Sequence, residues 1–136
     1  MRPRPEGAAA PTFGARGSAT VEFALVLPLI LVVTLGLVQV GLLAHDRSLV
    51  DAAARAAARA AAIQPDPAAA RDAAVAAAPS LDDSRLTVAI DREGARGAPV
   101  TVRVDYDDPV RIPLVGWLVG EAAHLDATAV MRQEFG

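Results

Sequence analysis

The chain has 136 residues, which is enough for one domain or for a small domain with an anchor. Hydrophobic residues make up 53% of it, but only 4% is aromatic and much of the rest is alanine, which excludes a large core of bulky side chains. The net charge of −3, from 13 basic and 16 acidic residues, gives no basic nucleic-acid-binding surface, and the lack of cysteine excludes disulfides and thiolate metal sites.

Residues 1–17 form a basic tail. They contain three arginines, one glutamate, three prolines and several small residues. Such a segment buries too little apolar surface to order itself, so we expect it to be flexible.

An uncharged apolar block follows over residues 23–44. About 20 such residues, at about 1.5 Å each, span a hydrocarbon core of about 30 Å. The apolar region of a secretory signal is shorter, and a soluble helix without a polar face needs a larger protein around it. Gln39 is the one strongly polar side chain inside the block, and Pro28, near its start, predicts a kink that need not end the helix. We predict a transmembrane helix over residues 18–45.

The charges on either side of this span bear on its orientation. Three arginines precede it, and Arg47, Arg55 and Arg59 follow it within the distance that influences topology. The preceding tail is short and has one acid, whereas the following segment is long and interleaves Asp46 and Asp51. We therefore expect the amino terminus to be cytoplasmic and the carboxyl-terminal part to lie outside.

Residues 46–79 have the composition of two helices. No glycine or proline separates the span from the alanine-rich run that ends at Ile63, so one continuous helix from near Ser18 is predicted. A Gln-Pro-Asp-Pro sequence then breaks the pattern. Asp66 suits the N-cap of a second helix and Pro67 its first turn.

Residues 80–136 change to a period of two, which predicts three antiparallel strands, each with one apolar face. The alternating apolar residues are Leu86, Val88 and Ile90, then Val100, Val102, Val104 and Tyr106, and then Leu125, Ala127, Ala129 and Met131. Val130 breaks the alternation. A sheet this small is marginal by itself, so we expect the preceding helices to pack on its apolar face in an α+β fold.

The junction between tail and span holds the most informative residues. Arg16 and Gly17 are followed by the small residue Ser18, and Glu22 stands five positions after the glycine. An ionised acid at the edge of hydrocarbon is costly unless something pairs with it. The simpler alternatives are an interfacial acid that reaches back to water and an ordinary loop glycine.

This junction resembles the processing site of type IV prepilins, where a membrane aspartyl protease cuts after the glycine. The resemblance implies that Gly17 precedes the cut, that Ser18 becomes the new amino terminus, which is commonly N-methylated in that family, and that Glu22 becomes the fifth mature residue. The new amine would lie four residues from Glu22 on one helix face. The carboxylate could pair with that amine or with the amine of a neighbouring subunit.

The resemblance narrows to TadE-like proteins, the pseudopilins or minor pilins of the tight-adherence (Flp pilus) machinery. Their opening follows an RG-[small]-A-x-VEFA-L-x-L-P pattern, and the residues at the matching places are Arg16, Gly17, Ala19, Val21, Glu22, Phe23, Ala24 and Pro28. Residues 125–132 are also similar to the last strand of such proteins, and residues 102–106 to the strand before it.

By this resemblance the chain is a non-enzymatic protein of the cytoplasmic (inner) membrane that takes part in assembling or priming the pilus or a related secretion machinery. The implied partners are a prepilin peptidase, other pilins or pseudopilins, assembly-platform proteins and the lipid bilayer, without cofactor, metal or nucleic acid. The implied organisation is a leader over 1–17, a transmembrane helix over 18–45, an extracytoplasmic helical segment over 46–79 and a small antiparallel sheet domain over 80–136.

Two other functions stay open. A chain that is never cut would be a bitopic membrane scaffold with a small exported interaction domain. An enzyme is the other alternative: a Ser/His/Asp site could form from distant residues with His45 or His124, the only two histidines, but no HExxH, nucleophile elbow or phosphate loop is present.

Two smaller clusters have structural interpretations. Asp105, Asp107 and Asp108 lack the regular oxygen spacing of a calcium loop, so we read them as solvated charges at the start of a turn. Residues 116–120 match GxxxG around Trp117, in an apolar run too short to span a bilayer. We expect this run to cover an edge or face of the sheet, and contact of Trp117 with the membrane or a partner is the alternative.

Overall fold

The computed structural model describes residues 14–109 and 122–135 and has the predicted α+β architecture. Its elements, in chain order, are helix α1 (Gly14–Ile63), helix α2 (Pro67–Ala77), a short 3-10 turn (Asp83–Arg85) and strands β1 (Leu86–Arg92), β2 (Pro99–Pro109) and β3 (Ala122–Arg132). The three strands form one antiparallel sheet in the order β1-β2-β3. The prediction of a long apolar helix, a second helix and a three-stranded sheet is confirmed.

Helix α1 is continuous and contains Pro28 within it. It begins at Gly14, one turn before the expected start near Ser18, so the last residues of the expected flexible tail are helical. No proline lies between these two positions, and the amides of a first helical turn need no partner within the helix, which lets the helix extend backward at little cost. The chain divides into two compact units, Met1–Thr34 and Leu35–Gly136.

In the second unit, one stripe of α1 is covered by the rest of that unit. The buried residues recur every three or four positions, as expected for one face of a helix, and they are Gln39, Asp46, Val50, Ala53, Ala54, Ala57, Ala58, Ala61 and Ala62. Most of them are alanines, whose small side chains need little space in the core and bury little apolar area each. The alanine content that limits the size of the core therefore suits this packing.

Helix α2 starts as the sequence predicts. The Asp66 side chain is the N-cap and accepts a hydrogen bond from the Ala68 amide at 2.9 Å, and Pro67 occupies the first turn. Ala70 and Ala74 are buried in the same core as α1. The Arg71 side chain donates to the Leu86 carbonyl at 3.1 Å, which ties α2 to the start of β1.

The strands pair in the register that their alternation requires. Val102 of β2 stands between Ile90 of β1 and Ala129 of β3, so the predicted apolar residues share one face of the sheet. The turn between β1 and β2 contains Gly94 and Gly97 in left-handed conformations, φ 86° and 87°, which side-chain-bearing residues rarely adopt.

The carboxyl end of α1 is tied to one end of the sheet. The Glu134 amide donates to the Ala62 carbonyl at 2.9 Å, and Arg92 Nη2 donates to the Ala61 and Gln64 carbonyls at 3.4 and 3.2 Å. Since Arg92 ends β1 and Glu134 follows β3, the Ile63 end of α1 lies at this end of the sheet.

The apolar run after β2 falls outside the described residues. The expectations for residues 116–120 and for Trp117 concern this part of the chain and remain predictions.

Candidate functional site

The amino-terminal part of α1 is apolar and has no cover of its own. The side chains of residues 19–34 are all exposed, although most are large and hydrophobic. Among the described residues, α1 is the one helix that is long and apolar enough to cross a membrane, and its most apolar stretch is not buried. Exposed side chains of this kind are stable in lipid or against a partner. By length and composition, this segment is a single membrane anchor.

The predicted processing residues lie at the start of that segment. The backbone of Gly17 and Ser18 belongs to the first turns of α1, and Glu22 is exposed one turn later, so helical spacing places residues 18 and 22 on one face. Glu22 already takes part in a polar interaction in this structure.

Pro28 lies inside the helix, as predicted, and removes one amide donor from the ladder without ending it. One turn further, the Thr34 hydroxyl donates to the Ile30 carbonyl at 2.8 Å, so this polar side chain is satisfied within the helix. The segment thus presents an almost uninterrupted apolar surface.

Two polar side chains of α1 are buried, which was not predicted. Gln39 is 8% exposed and Asp46 is 2% exposed, and both lie on the same stripe as Val50. Their spacing of seven and four residues was the available signal, because it continues the helical period of the core. Asp46 is not without a partner.

The acidic cluster at the end of β2 is not uniformly solvated, so that interpretation is wrong for one member. Asp107 is exposed, whereas Asp108 is 2% exposed and continues the inward alternation of Val104 and Tyr106. The expected turn start is also wrong, because β2 runs on to Pro109. Asp108 takes part in a polar interaction, as a buried carboxylate must.

The outer face of the sheet carries a small charge network. His124 Nδ1 lies 2.9 Å from an Asp107 oxygen and its Nε2 lies 3.3 Å from Asp105, while Arg103 Nε lies 3.0 Å from Asp105 and Arg103 Nη2 lies 3.8 Å from Asp126. The hydrogen bond to Asp107, assisted by the charges of both carboxylates, raises the pKa of His124 above its usual 6.5.

This network offers little for catalysis. Both ring nitrogens of His124 face carboxylates, so the protonated ring is favoured and no ring nitrogen is directed at a nucleophile. In the described part of the chain, no group of three or more His, Cys, Asp or Glu side chains is arranged to hold a metal ion. His45, the other histidine, is exposed on α1, and nothing in the described residues brings the two histidines together.

Comparison with known proteins adds one finding on this segment. Residues 17–59 match a family model described as "TadE-like protein". The match begins at the glycine of the predicted cleavage site and covers most of α1, whereas α2 and the sheet lie beyond it. Neither a curated protein nor a solved structure matches the chain.

Proposed function

Since this chain belongs to the TadE-like protein family through residues 17–59, we propose that it is a pseudopilin or minor pilin that takes part in assembly of a tight-adherence (Flp-type) pilus or a related secretion machinery. The observation that carries the proposal is the coincidence of two boundaries. The family match begins at Gly17, and directly after it α1 presents its uncovered apolar surface.

In the proposed pathway, the chain is stored in the cytoplasmic membrane as a single-pass protein with a cytoplasmic amino terminus. Lipid covers residues 19–34 before assembly, and neighbouring pilins or assembly-platform proteins replace the lipid afterwards. Such a role needs association rather than chemistry, and TadE-like pilins are in general not enzymes.

Processing is proposed to occur after Gly17. A protease must bind the chain in an extended form, and the first turn of α1 is the easiest part of the helix to open, since helix ends fray and glycine is a poor helix former. Removal of residues 1–17 then leaves the Ser18 amine one turn from Glu22. The carboxylate pairs with this amine or with that of an adjacent subunit, and the second pairing fixes the axial register of neighbouring helices.

Mass spectrometry of the protein extracted from membranes tests the processing step. We expect a mature chain that begins at Ser18 in cells with an active prepilin peptidase, and a precursor of full length for Gly17→Ala. The matched control is Gly14→Ala, which changes a nearby glycine and leaves cleavage intact. A full-length chain from wild-type cells contradicts the proposal and favours the uncleaved bitopic scaffold.

The pairing role of Glu22 has a separate test. Replacement of Glu22 by Ala removes a charge at the edge of hydrocarbon, so membrane insertion persists, while co-purification with partner pilins falls about tenfold or more because the register charge is lost. Glu93→Ala, an exposed acid in the second unit, is the control and leaves co-purification unchanged. Unaltered association of the Glu22→Ala protein would remove this role.

A further inference from the structure

The second unit has two outer surfaces on opposite sides of its core. The first, here named the helix face, consists of Arg55, Arg59 and Ile63 on α1. The second, named the sheet face, consists of Asp126, Thr128 and Val130 on β3. Beyond residue 40, Ile63 at 52% and Val130 at 60% are the exposed large hydrophobic residues of the described chain, and each surface holds one of them.

The helix face is a straight stripe of two charges and one apolar side chain. Its residues recur every four positions, so they lie in line along the side of α1 that faces away from the core. Neither arginine forms an ion pair with a described residue. Asp51 lies one turn before Arg55 on the same line, but the two arginines outnumber it and repel each other, so this side of the helix is net positive and suits an anionic partner.

The sheet face has the opposite charge. Asp126 lies across the sheet from Asp105, and the single guanidinium of Arg103 serves both carboxylates, with the longer contact, 3.8 Å, to Asp126. Asp107 adds a further carboxylate beside His124. Carboxylates therefore outnumber the basic side chains at this end of the sheet. Val130 lies toward the other end.

The two faces agree in spacing. Arg55 and Ile63 are about 12 Å apart along the helix, and Asp126 and Val130 are about 13 Å apart along the strand. A charge and an apolar side chain are thus separated by nearly the same distance on each face.

The two faces also agree in direction. Ile63 lies at the end of the sheet where Arg92 and Glu134 contact α1, and Val130 lies near that same end. The buried stretches Val50–Ala61 of α1 and Val100–Tyr106 of β2 are of similar length, about 16 and 20 Å, and from this and the shared end we infer that the helix runs along the strands. Arg55 and Asp126 therefore both lie toward the opposite end.

We propose that a second copy of this chain packs its helix face on the sheet face of the first, with Ile63 against Val130 and Arg55 beside Asp126. The contact is heterologous, so each copy keeps one helix face and one sheet face for further copies, and the result is a row, ring or helix of subunits. Helices 35–63 of successive copies point the same way, as subunits anchored in one membrane require. The inference extends the proposed function by naming a partner, but the contact itself does not need cleavage.

Cross-linking tests this contact directly, because the chain has no cysteine of its own. Full-length protein carrying both Ile63→Cys and Val130→Cys, treated in membranes with a short bismaleimide, should give dimers, trimers and larger products, since packed layers lie about 8–10 Å apart. Each single variant should stay monomeric. The pair Arg59→Cys and Thr128→Cys provides a second site with the same expectation.

Charge reversal tests the complementarity. Arg55→Asp alone and Asp126→Arg alone should each lower the cross-linked fraction about fivefold, and the two together should restore it. Arg96→Asp makes the same charge change in the exposed turn between β1 and β2 and should have no effect.

Three results would overturn the proposal: multimers from a single-cysteine variant, monomers from both double-cysteine variants when circular dichroism shows folded protein, or cross-linking that is insensitive to the charge reversals. The experiment is repeated with Gly17→Ala in every variant. If the uncleaved Gly17→Ala protein forms multimers, the contact stands even if the processing proposal fails. If the protein is cleaved but forms no multimers, the contact is wrong and the processing proposal stands.

Discussion

His124 acquires its properties from residues of the neighbouring strand. The register opposes it to Asp107, and the ring reaches Asp105 as well, so an exposed histidine is held between two carboxylates. The pKa of Arg103 is also raised, chiefly by the hydrogen bond to Asp105 on its own strand and to a smaller extent by Asp126 on β3. Charge on this face is therefore set both by cross-strand neighbours, as for His124, and by a residue two positions along the same strand, as for Arg103 and Asp105.

The raised pKa of His124 predicts a pH dependence of stability. A group whose pKa is higher in the folded state stabilises fully below its unfolded value, about 6.5, and loses this contribution as the pH rises through its folded pKa. His124→Ala should therefore lower the melting temperature most below about pH 6.5 and progressively less as the pH rises through the folded pKa. NMR titration of the ring provides the direct check, and Asp107→Asn should bring its pKa down. A ring that titrates at or below 6.5 in the wild-type protein would contradict the network.

Helix α1 uses one residue type for two purposes. Alanine favours the helix, and on the covered stripe its small side chain also belongs to the buried core. Ala57, fully buried on this stripe, faces the core, whereas Ala52 lies toward the outer side and is partly exposed. A larger side chain should therefore be tolerated at position 52 but not at position 57.

We expect Ala57→Leu to lower the free energy of unfolding by about 1–3 kcal/mol, because extra methylenes in a close-packed contact force the helix away from the sheet. Ala52→Leu is the matched control and should change it by less than about 0.5 kcal/mol, since leucine is nearly as good a helix former as alanine. Thermal or denaturant unfolding measures both. Equal effects of the two substitutions would mean that α1 does not pack through this stripe.

In the molecule as a whole, the buried core and the membrane anchor are formed by different parts of the chain. Within residues 19–109 and 123–135, the buried apolar residues belong to the unit Leu35–Gly136 and begin at Val50, whereas residues 19–34 contribute none of them. The sheet supplies Val100, Val102 and Val104 to a core whose other side comes from the helices. Stability should therefore depend on the helices after the span and not on the span itself.

A chain of residues 45–136 should unfold cooperatively on heating, because it keeps the complete apolar core. A chain of residues 80–136 should not, because its apolar sheet face would be uncovered and a domain of that size buries too little surface. Circular dichroism during heating distinguishes the two. Cooperative unfolding of the shorter chain would show that the helices are dispensable.

The helices and strands of this protein could be predicted from its sequence, because each depends on the properties of a short stretch of chain. The length of the apolar block, the Pro67 and Asp66 break and the three period-two runs each report a property of a short stretch of chain, and the helices and strands follow them. The resemblance of residues 16–28 to TadE-like proteins could also be found from the sequence, because it depends only on residue types and their spacing.

Only the tertiary structure decided where the polar residues went. Asp108 was expected to be solvated and Asp46 was considered only as a charge beside the span, yet both are buried. No motif in the sequence linked His124 to the two aspartates of β2 that it contacts. Arg71 and Arg92 likewise gave no sign that they would bond backbone carbonyls far along the chain. Burial and pairing depend on which elements meet and in which register, and that is set by packing of the whole core rather than by any one stretch of residues.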